Sequence, residues 1–494
     1  MLNKMHRFCC VGTQECAGTV HYRSIISAIL ALVIISVLPL CDFMPNGHWH
    51  DQQRLGQIVV FVIAVLVLVS TPSKETIFLE EGSPIRFLIV ALLIAGSISA
   101  LFARHVLWGL AEVGIVLGSL GIAGMVVILR QSLRRALDSM IIGALFFICT
   151  ALTLQFFVAY LAVVVTGSGE INPAFLLDGF SNPRFYGQFV SLSLPILAIP
   201  MLVSSGLRRF YLPAAIILCL WWAISFTTGT RGTWLGMMVA AAILFFLGGG
   251  GRSWVKVHFF GALVGLALCF LWLNWLPSQF GLSVANSPVA RLTTSLSLRE
   301  VIWRQAIEMT MARPLLGFGP MHFADIPNAV AAHPHQALLQ WSCEWGLPSA
   351  MVVAYLVLRA LYSVMRVVLE RGQSRREIDM LRICLLAAVV ASLTQSMVDG
   401  VLVMPYTEIW LALIGGWLFA IHQHSNGMSK SGTKKLWWEY IWHVSLIMSV
   451  MLLVFVSVRD FSLLHIREER YAELFGGHLK PRFWAQGMIH DDKL

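Results

Sequence analysis

Apolar runs of about 20 residues recur along the whole chain, and only 12% of its 494 residues are charged. A soluble domain carries about 25% charged residues. A chain with so few charges cannot cover itself with polar surface, so lipid must form much of its solvent. Because a helix needs about 20 apolar residues to cross a bilayer, the repeated runs predict an all-α polytopic membrane protein.

The apolar runs predict about 12–13 transmembrane helices and one large, partly helical periplasmic loop. The predicted spans are 25–44, 56–72, 86–103, 108–129, 138–166, 186–205, 211–228, 233–250, 256–276, 348–368, 380–398, 402–421 and 439–457. The predicted regions are a cytoplasmic N-terminal segment 1–24, transmembrane helices 1–9 over 25–276, the periplasmic loop 277–347, transmembrane helices 10–13 over 348–458, and a C-terminal tail 459–494.

Basic residues near the span ends set the orientation, because cytoplasmic loops carry an excess of Lys and Arg. The basic clusters are Arg130-Arg134-Arg135, Arg208-Arg209, Arg252-Lys256, Arg366 through Arg382, and Lys430-Lys434-Lys435. An N-terminus inside places all five in the cytoplasm and explains the net charge of +9 without a nucleic-acid partner. Thirteen spans then place the tail 459–494 in the periplasm, where Arg467 to Arg470 are expected to form a short amphipathic surface helix.

Four candidate functional residues share the opposite, periplasmic face: Arg184, Arg231, Arg299 and His335. Arginine outside runs against the positive-inside bias, so each of these residues needs a reason. A guanidinium never deprotonates and donates two parallel hydrogen bonds to a phosphate. The alternative is that these arginines reach lipid headgroups or nearby carboxylates.

The local context of His335 suggests a general base. Pro334 suits the first position of a helix, which would place His335 in the first turn of a helix ending near Gly346. The helix dipole there favours the neutral imidazole, the form that a base requires. Spacing alone favours a structural histidine.

A metal pair with His333 lacks a visible third ligand, and the nine scattered cysteines contain no CxxC motif for zinc or redox chemistry.

The order of several short motifs resembles the O-antigen ligase and polymerase superfamily, which includes bacterial O-oligosaccharyltransferases. The segments that carry the resemblance are Ser297-Leu298-Arg299, Ile302-Trp303-Arg304-Gln305-Ala306, Pro314-Leu315-Leu316-Gly317-Phe318-Gly319, His333-Pro334-His335-Gln336 through Gln340, and Glu344-Trp345-Gly346-Leu347. Arg184, the Gly229-Thr230-Arg231-Gly232 element and Asp399-Gly400 with Pro405 extend it over about 180–410. Ser349 departs from the ligase signature, which has Gly, Thr or Tyr at that position.

The resemblance implies a multi-pass protein of the bacterial inner membrane with its active site facing the periplasm. It implies a metal-independent, inverting glycosyltransferase without a cofactor, whose donor is an undecaprenyl-diphosphate-linked glycan. Arg184 and Arg231 would bind the donor diphosphate, His335 would activate the acceptor hydroxyl, and Arg299 would position the donor or the loop. The acceptor would be a lipid or a protein.

Three members of the superfamily remain open, and they differ in acceptor. A ligase uses lipid A-core, a polymerase uses a second lipid-linked repeat, and an oligosaccharyltransferase uses a protein hydroxyl. The ligase-like signature at His335 favours the first, while a periplasmic tail disfavours it. A transporter or flippase is the rival class, although such proteins place their charged residues near the bilayer midplane, and this chain places its candidates at span ends and in a loop.

Overall fold

The computed structural model describes residues 21–45, 47–71, 84–167, 170–203, 206–285, 298–328, 330–425, 436–475 and 479–489. The predicted cytoplasmic segment 1–24 and the basic cluster at 430–435 lie almost entirely outside the described residues. The sides of the membrane assigned to the individual regions stay predictions, because the structure contains no membrane.

The described chain is almost entirely helical. Its helices are α1 His21–Val37, α2 Trp49–Ser70, α3 Pro84–Leu101, α4 Val106–Leu133, α5 Arg135–Thr166, α6 Pro183–Ser193, α7 Ile199–Leu202, α8 Tyr211–Thr228, α9 Arg231–Phe246, α10 Gly249–Phe270, α11 Leu276–Gln279, α12 Arg299–Ala312, α13 Ala337–Trp345, α14 Leu347–Glu370, α15 Glu377–Ser396, α16 Pro405–Ser425, α17 Leu436–Phe461 and α18 Leu464–Phe475. Two short strands, β1 Glu170–Ile171 and β2 Ser283–Val284, pair in parallel.

Eight helices in the described part of the chain are long and apolar enough to cross a membrane, and α1 and α9 are shorter apolar helices. The all-α polytopic fold is therefore confirmed, and each predicted span falls on a helical segment. The predicted span 186–205 is interrupted between α6 and α7. Pro195 lies in that interruption, and a proline inside a helix removes a backbone hydrogen bond and clashes with the preceding turn.

A close backbone approach fixes two helices at the end of the bundle where Arg231 lies. In α9, a Cβ built on Gly236 would lie 2.4 Å from the carbonyl oxygen of Ala391 in α15. Small residues permit such approaches between membrane helices. The contact holds the start of α9, where Arg231 lies, beside the end of α15.

The large loop folds onto the same end of the bundle. It contains α12 and α13, so the predicted helical stretches at 298–311 and 334–345 are confirmed with small shifts in their bounds. The backbone amide of His105, between α3 and α4, donates to His322 Nε2 at 2.9 Å. Ser99 of α3 donates to the Leu316 carbonyl oxygen at 2.5 Å. These bonds attach the loop to the bundle beside α3 and α4.

The C-terminal segment 479–489 also returns to this end and becomes buried. Arg482, Phe483 and Trp484 are each at most 3% exposed. The amide of Ile489 donates to the carbonyl oxygen of Ala324 in the large loop at 3.1 Å. A helix is present at 464–475, in the region where the sequence predicts one, but the burial of the segment that follows it was not predicted.

A buried network of five charges holds this segment in place. Arg482 donates to Glu344 at 2.7 Å and to Glu112 at 3.1 Å. Arg54 donates to Glu408 at 2.9 Å. Arg54 also donates to the backbone carbonyl oxygens of Val403, Arg482 and Phe483. The network joins α2, α4, α13, α16 and the C-terminal segment, so it links the loop that contains His335 to the centre of the bundle.

Two guanidiniums face three carboxyl groups in this network, which favours a proton on one carboxyl. Burial raises the pKa of Glu344 to about 7; the charge of Arg482 opposes the rise and that of Glu112 adds to it. A buried net negative charge is costly, so a protonated Glu344 at neutral pH agrees with the charge count.

We expect the free energy of unfolding to fall as pH rises from about 4.5 to about 7. Across this window the folded chain keeps a proton on Glu344 that the unfolded chain releases, and each shift of one pKa unit corresponds to about 1.4 kcal/mol. The change should reach about 3 kcal/mol. Thermal unfolding in one detergent at several pH values measures it. In Glu344→Gln the decline should flatten, and an unchanged decline would show that another group titrates.

Candidate functional site

The structure brings the four predicted residues to one end of the bundle. Arg184 is the second residue of α6, Arg231 and Arg299 are the first residues of α9 and α12, and His335 precedes α13 by two residues. The Arg184 and Arg231 side chains are exposed, and that of Arg299 is half-buried. Helix N-termini carry partial positive charge and open backbone amides. Three arginines at three helix N-termini therefore form a positively charged surface, which suits an anion.

Local sequence explains why Arg184 and Arg231 lie together. Asn182 caps α6 by accepting the Arg184 amide at 2.8 Å, and Pro183 occupies the first helical position. Gly229, with φ of 63°, ends α8 so that α9 can begin at Arg231. A glycine adopts this left-handed conformation at little cost.

Two threonines at the start of α9 fasten this helix to α6. Thr230 donates to the Pro183 carbonyl oxygen at 3.4 Å, and Thr233 donates to the Gly187 carbonyl oxygen at 2.7 Å. A Cβ on Gly187 would lie 2.4 Å from Thr230 Oγ1, so the two helices touch at a position that admits no side chain. The helix starts that carry Arg184 and Arg231 are thereby held as neighbours.

Arg299 belongs to the same electrostatic surface. Burial lowers the pKa of Arg299; the charge of Asp399 opposes this effect, and the charges of Arg184 and Arg231 add to it. These three charges act on Arg299 because the start of α12 lies near Asp399 and near the starts of α6 and α9. Arg299 remains a cation at neutral pH, since the ordinary arginine pKa is above 12.

His335 is held by its own loop rather than by a helix. It has a left-handed backbone with φ of 54°, and its amide donates to His333 Nδ1 at 3.3 Å. The prediction that His335 lies in the first helical turn is wrong: α13 begins at Ala337, and the side chain of Gln336 caps it. A bulky residue with positive φ cannot continue into a right-handed helix, so the helix starts later than Pro334 indicates.

A carboxylate orients the His335 ring in place of a helix dipole. His335 Nδ1 lies 3.6 Å from Asp399 Oδ1, and the two side chains are 16% and 5% exposed. A carboxylate facing Nδ1 favours the tautomer with its proton on that nitrogen, which leaves the Nε2 lone pair for a substrate proton. His335 is thereby prepared to act as a general base.

Asp399 is itself prepared for this role. Its Oδ1 accepts the Gly400 amide at 2.8 Å, and its Oδ2 accepts Gln395 Nε2 at 3.3 Å. Burial raises the pKa of Asp399, but the nearby His335 ring, the Gly400 amide and the charge of Arg184 outweigh it, so the pKa is lowered. Asp399 is therefore an ionised carboxylate at neutral pH.

Asp399 was not among the four predicted site residues. It appeared in the sequence only within the late segment that resembles the superfamily. The signal that could have identified it is its position: an acidic residue directly after a predicted span, on the face that carries His335 and the three arginines.

His333 supports the loop that carries His335 rather than facing the surface. It is 2% exposed, its ring centroid lies 4.1 Å from that of His335, and a Cβ on Gly400 would lie 2.5 Å from its Cε1. Burial, with the charges of His335, Arg482 and His50, lowers the pKa of His333 well below its ordinary value. His333 is thus a neutral spacer between the His335 loop and Gly400. Among the described residues, no group of three or more His, Cys, Asp or Glu could hold a metal ion.

A comparison with protein-family models finds one model that matches part of the chain. Residues 213–354 match the model described as O-antigen ligase, and this match confirms the resemblance to the O-antigen ligase and polymerase superfamily. The matched region runs from α8 into α14 and contains Arg231, Arg299 and His335, whereas Arg184 and Asp399 lie outside it. A comparison with curated proteins gives no match.

Proposed function

We propose that this chain belongs to the O-antigen ligase and polymerase superfamily and transfers a glycan from undecaprenyl diphosphate to an acceptor hydroxyl on the periplasmic face of the bacterial inner membrane. The family supports a membrane glycosyltransferase in general terms. The observation that supports the specific mechanism is the placement of three arginines, at three helix N-termini, around the His335–Asp399 pair. We favour lipid A-core as the acceptor.

The proposed reaction breaks one bond and forms one. The acceptor oxygen attacks the anomeric carbon of the donor sugar, and the bond from that carbon to the diphosphate oxygen breaks. The acceptor proton passes to Nε2 of His335, and Asp399 stabilises the resulting imidazolium. The diphosphate leaves with both electrons of the broken bond. Attack from the face opposite the leaving group inverts the anomeric carbon.

The arginines act on the leaving group. Negative charge grows on the bridging oxygen as the sugar bond breaks, and fixed cations near that oxygen lower the barrier. Arg184 and Arg231 start neighbouring helices and would bind the diphosphate, while Arg299 approaches from the loop. This arrangement supplies the charge stabilisation from side chains that are positioned before the donor arrives.

An O-antigen polymerase or a protein O-oligosaccharyltransferase would use the same chemistry with another acceptor. A transporter or flippase of lipid-linked glycan is the candidate of another class. An oriented histidine–carboxylate pair beside the arginines is what proton abstraction requires, and it favours transfer over transport.

The test is transfer by purified protein with a lipid-linked glycan as donor. Lipid A-core, a second lipid-linked glycan and a pilin-like protein are offered in parallel. We expect transfer to lipid A-core, and Arg184→Gln and Arg231→Gln should each lower the rate by about 100-fold, the typical loss for one charge-stabilising donor. Arg104→Gln, a change at an arginine that is 68% exposed at the same end, is the matched control.

Each result has a defined meaning. Transfer to another acceptor would replace the ligase assignment with the corresponding member of the superfamily. Arginine variants as active as the control would contradict diphosphate binding by these residues. A folded wild type that transfers to none of the acceptors, yet moves the donor across vesicle membranes, would favour the flippase.

A further inference from the structure

A cavity of about 290 Å³ lies at the same end of the bundle. Its walls come from Trp108 at the start of α4, Arg459 near the end of α17, Leu463 just before α18, Arg467 within α18, and part of the C-terminal segment. None of the candidate site residues lines it. The cavity is therefore separate from the candidate site.

The cavity carries an excess of positive charge. Asp460 is fully buried; its Oδ1 accepts Arg459 Nε at 2.6 Å, and its Oδ2 lies 3.3 Å from Arg467 Nη1. Trp484 Nε1 also donates to Oδ2, at 3.1 Å. The Asp460 carboxylate thus orients both guanidiniums, and these three groups together carry a net charge of +1. The Arg459 and Arg467 side chains are 35% and 25% exposed, so a ligand can reach them.

The position of the cavity indicates the kind of ligand. The helices α4 and α17 are both long and apolar enough to cross a membrane, so Trp108, near the start of α4, and Arg459, near the end of α17, lie where a membrane surface would be. Tryptophan is enriched at that level. The Arg459 Cζ lies 5.4 Å from the Trp108 ring centroid, so the guanidinium rests against this ring at the cavity wall. Guanidinium groups such as those of Arg459 and Arg467 recognise phosphate.

We propose that this cavity binds a phosphate group of a membrane lipid. Two lipids could supply it: the phosphorylated acceptor glycolipid, or an anionic phospholipid. The acceptor assignment rests on the proposed transfer function. It is supported by the C-terminal segment, because Met488 and Ile489 line the cavity and also pack in one cluster with Ala324 and Ala332 of the large loop. An occupied cavity therefore adjoins the chain that leads into His335.

The sharpest test changes the charge at the cavity without removing a contact between charges. Leu463 lines the cavity and is 41% exposed, so Leu463→Glu adds a carboxylate and Leu463→Gln is its neutral, equally sized control. Arg467→Gln removes one guanidinium, and Arg104→Gln is again the control at the same end. If Leu463→Glu does not fold, the Arg467→Gln comparison decides.

Binding is measured first without transfer, as the rise in Tm of the full-length protein in detergent. The probes are lipid A, dephosphorylated lipid A, phosphatidylglycerol and phosphatidylcholine. We expect lipid A and phosphatidylglycerol, whose phosphates leave a net negative charge, to raise Tm, and the two probes without net negative charge to leave it unchanged. Leu463→Glu and Arg467→Gln should raise the half-saturating concentration at least tenfold, while both controls stay within twofold of wild type. Equal responses of Leu463→Glu and Leu463→Gln would overturn the proposal.

Transfer assays then assign the source of the phosphate. Two results together assign the cavity to the acceptor, provided that the donor KM is unchanged. The acceptor KM rises at least tenfold in Leu463→Glu, and removing the phosphates from the acceptor raises the KM of the wild type to a similar extent. A Tm response to phosphatidylglycerol with an unchanged acceptor KM assigns it to phospholipid. A protein that transfers nothing counts against the proposed function, but the Tm data still decide the phosphate site.

Discussion

Replacing His335 with asparagine is expected to lower the transfer rate by about 10²–10⁴-fold, the usual contribution of a general base, while donor binding stays intact. Asparagine is the suitable substitute because position 335 has φ of 54°, and asparagine tolerates this conformation better than most residues. Donor binding should survive because the proposed contacts to the diphosphate come from the arginines. Single-turnover transfer and equilibrium donor binding are measured on the same preparation.

Two companion variants separate a base from a structural histidine. Asp399→Asn should also lower the rate strongly, because an amide NH₂ facing Nδ1 favours the tautomer that occupies Nε2 with a proton. His335→Gly leaves space for an added imidazole, which should restore part of the activity in proportion to its neutral form. A His335→Asn variant that keeps the wild-type rate would show that His335 is not the base. Loss of donor binding in parallel with the rate would assign His335 to the binding surface.

The fold could be predicted because its main determinant, the apolar run of each span, is a local feature of the sequence. A span is a continuous apolar run, so it is recognised without any knowledge of its distant partners. The turn between two spans can be equally local: α8 stops at Thr228, Gly229 follows, and α9 starts at Arg231, as the sequence of that turn indicates. The three arginines were predictable for a similar reason. Each stands at the end of a span or in the loop beside one, so the topology alone places them on a common face.

The parts that were missed depend on pairs of residues far apart in the chain. Asp399 lies beside His335 although α13, α14 and α15 separate them in sequence, and no periodicity records that pairing. The left-handed backbone at His335 is a local feature, yet Pro334 concealed it because proline suits a helix start equally well. The burial of the C-terminal segment was missed because its polar residues find their partners in α2, α4 and α13, which lie far earlier in the chain.

The burial of Arg482 gives the second large effect. Arg482→Met is expected to destabilise the folded protein by about 3–5 kcal/mol, because it leaves the buried carboxyl groups of Glu112 and Glu344 without their cation. Thermal unfolding in detergent measures the loss. Methionine fills much of the vacated volume, so the effect reports charge more than packing. Arg482→Lys should lose less, since an ammonium keeps the charge but not the planar guanidinium whose Nη2 bonds both carboxyl groups.

A charge-matched double variant shows whether the buried charge network of Arg482 also positions the loop that carries His335. With the proton on Glu344, Arg482→Met combined with Glu112→Gln removes one charge of each sign, so it should regain part of the stability lost in Arg482→Met alone. It still lacks the bond between the C-terminal segment and α13, the helix that follows His335. We therefore expect a lowered transfer rate at temperatures where the double variant is fully folded, with donor binding unchanged. A folded double variant with the wild-type rate would confine Arg482 to stability and leave the orientation of His335 to Asp399 and His333.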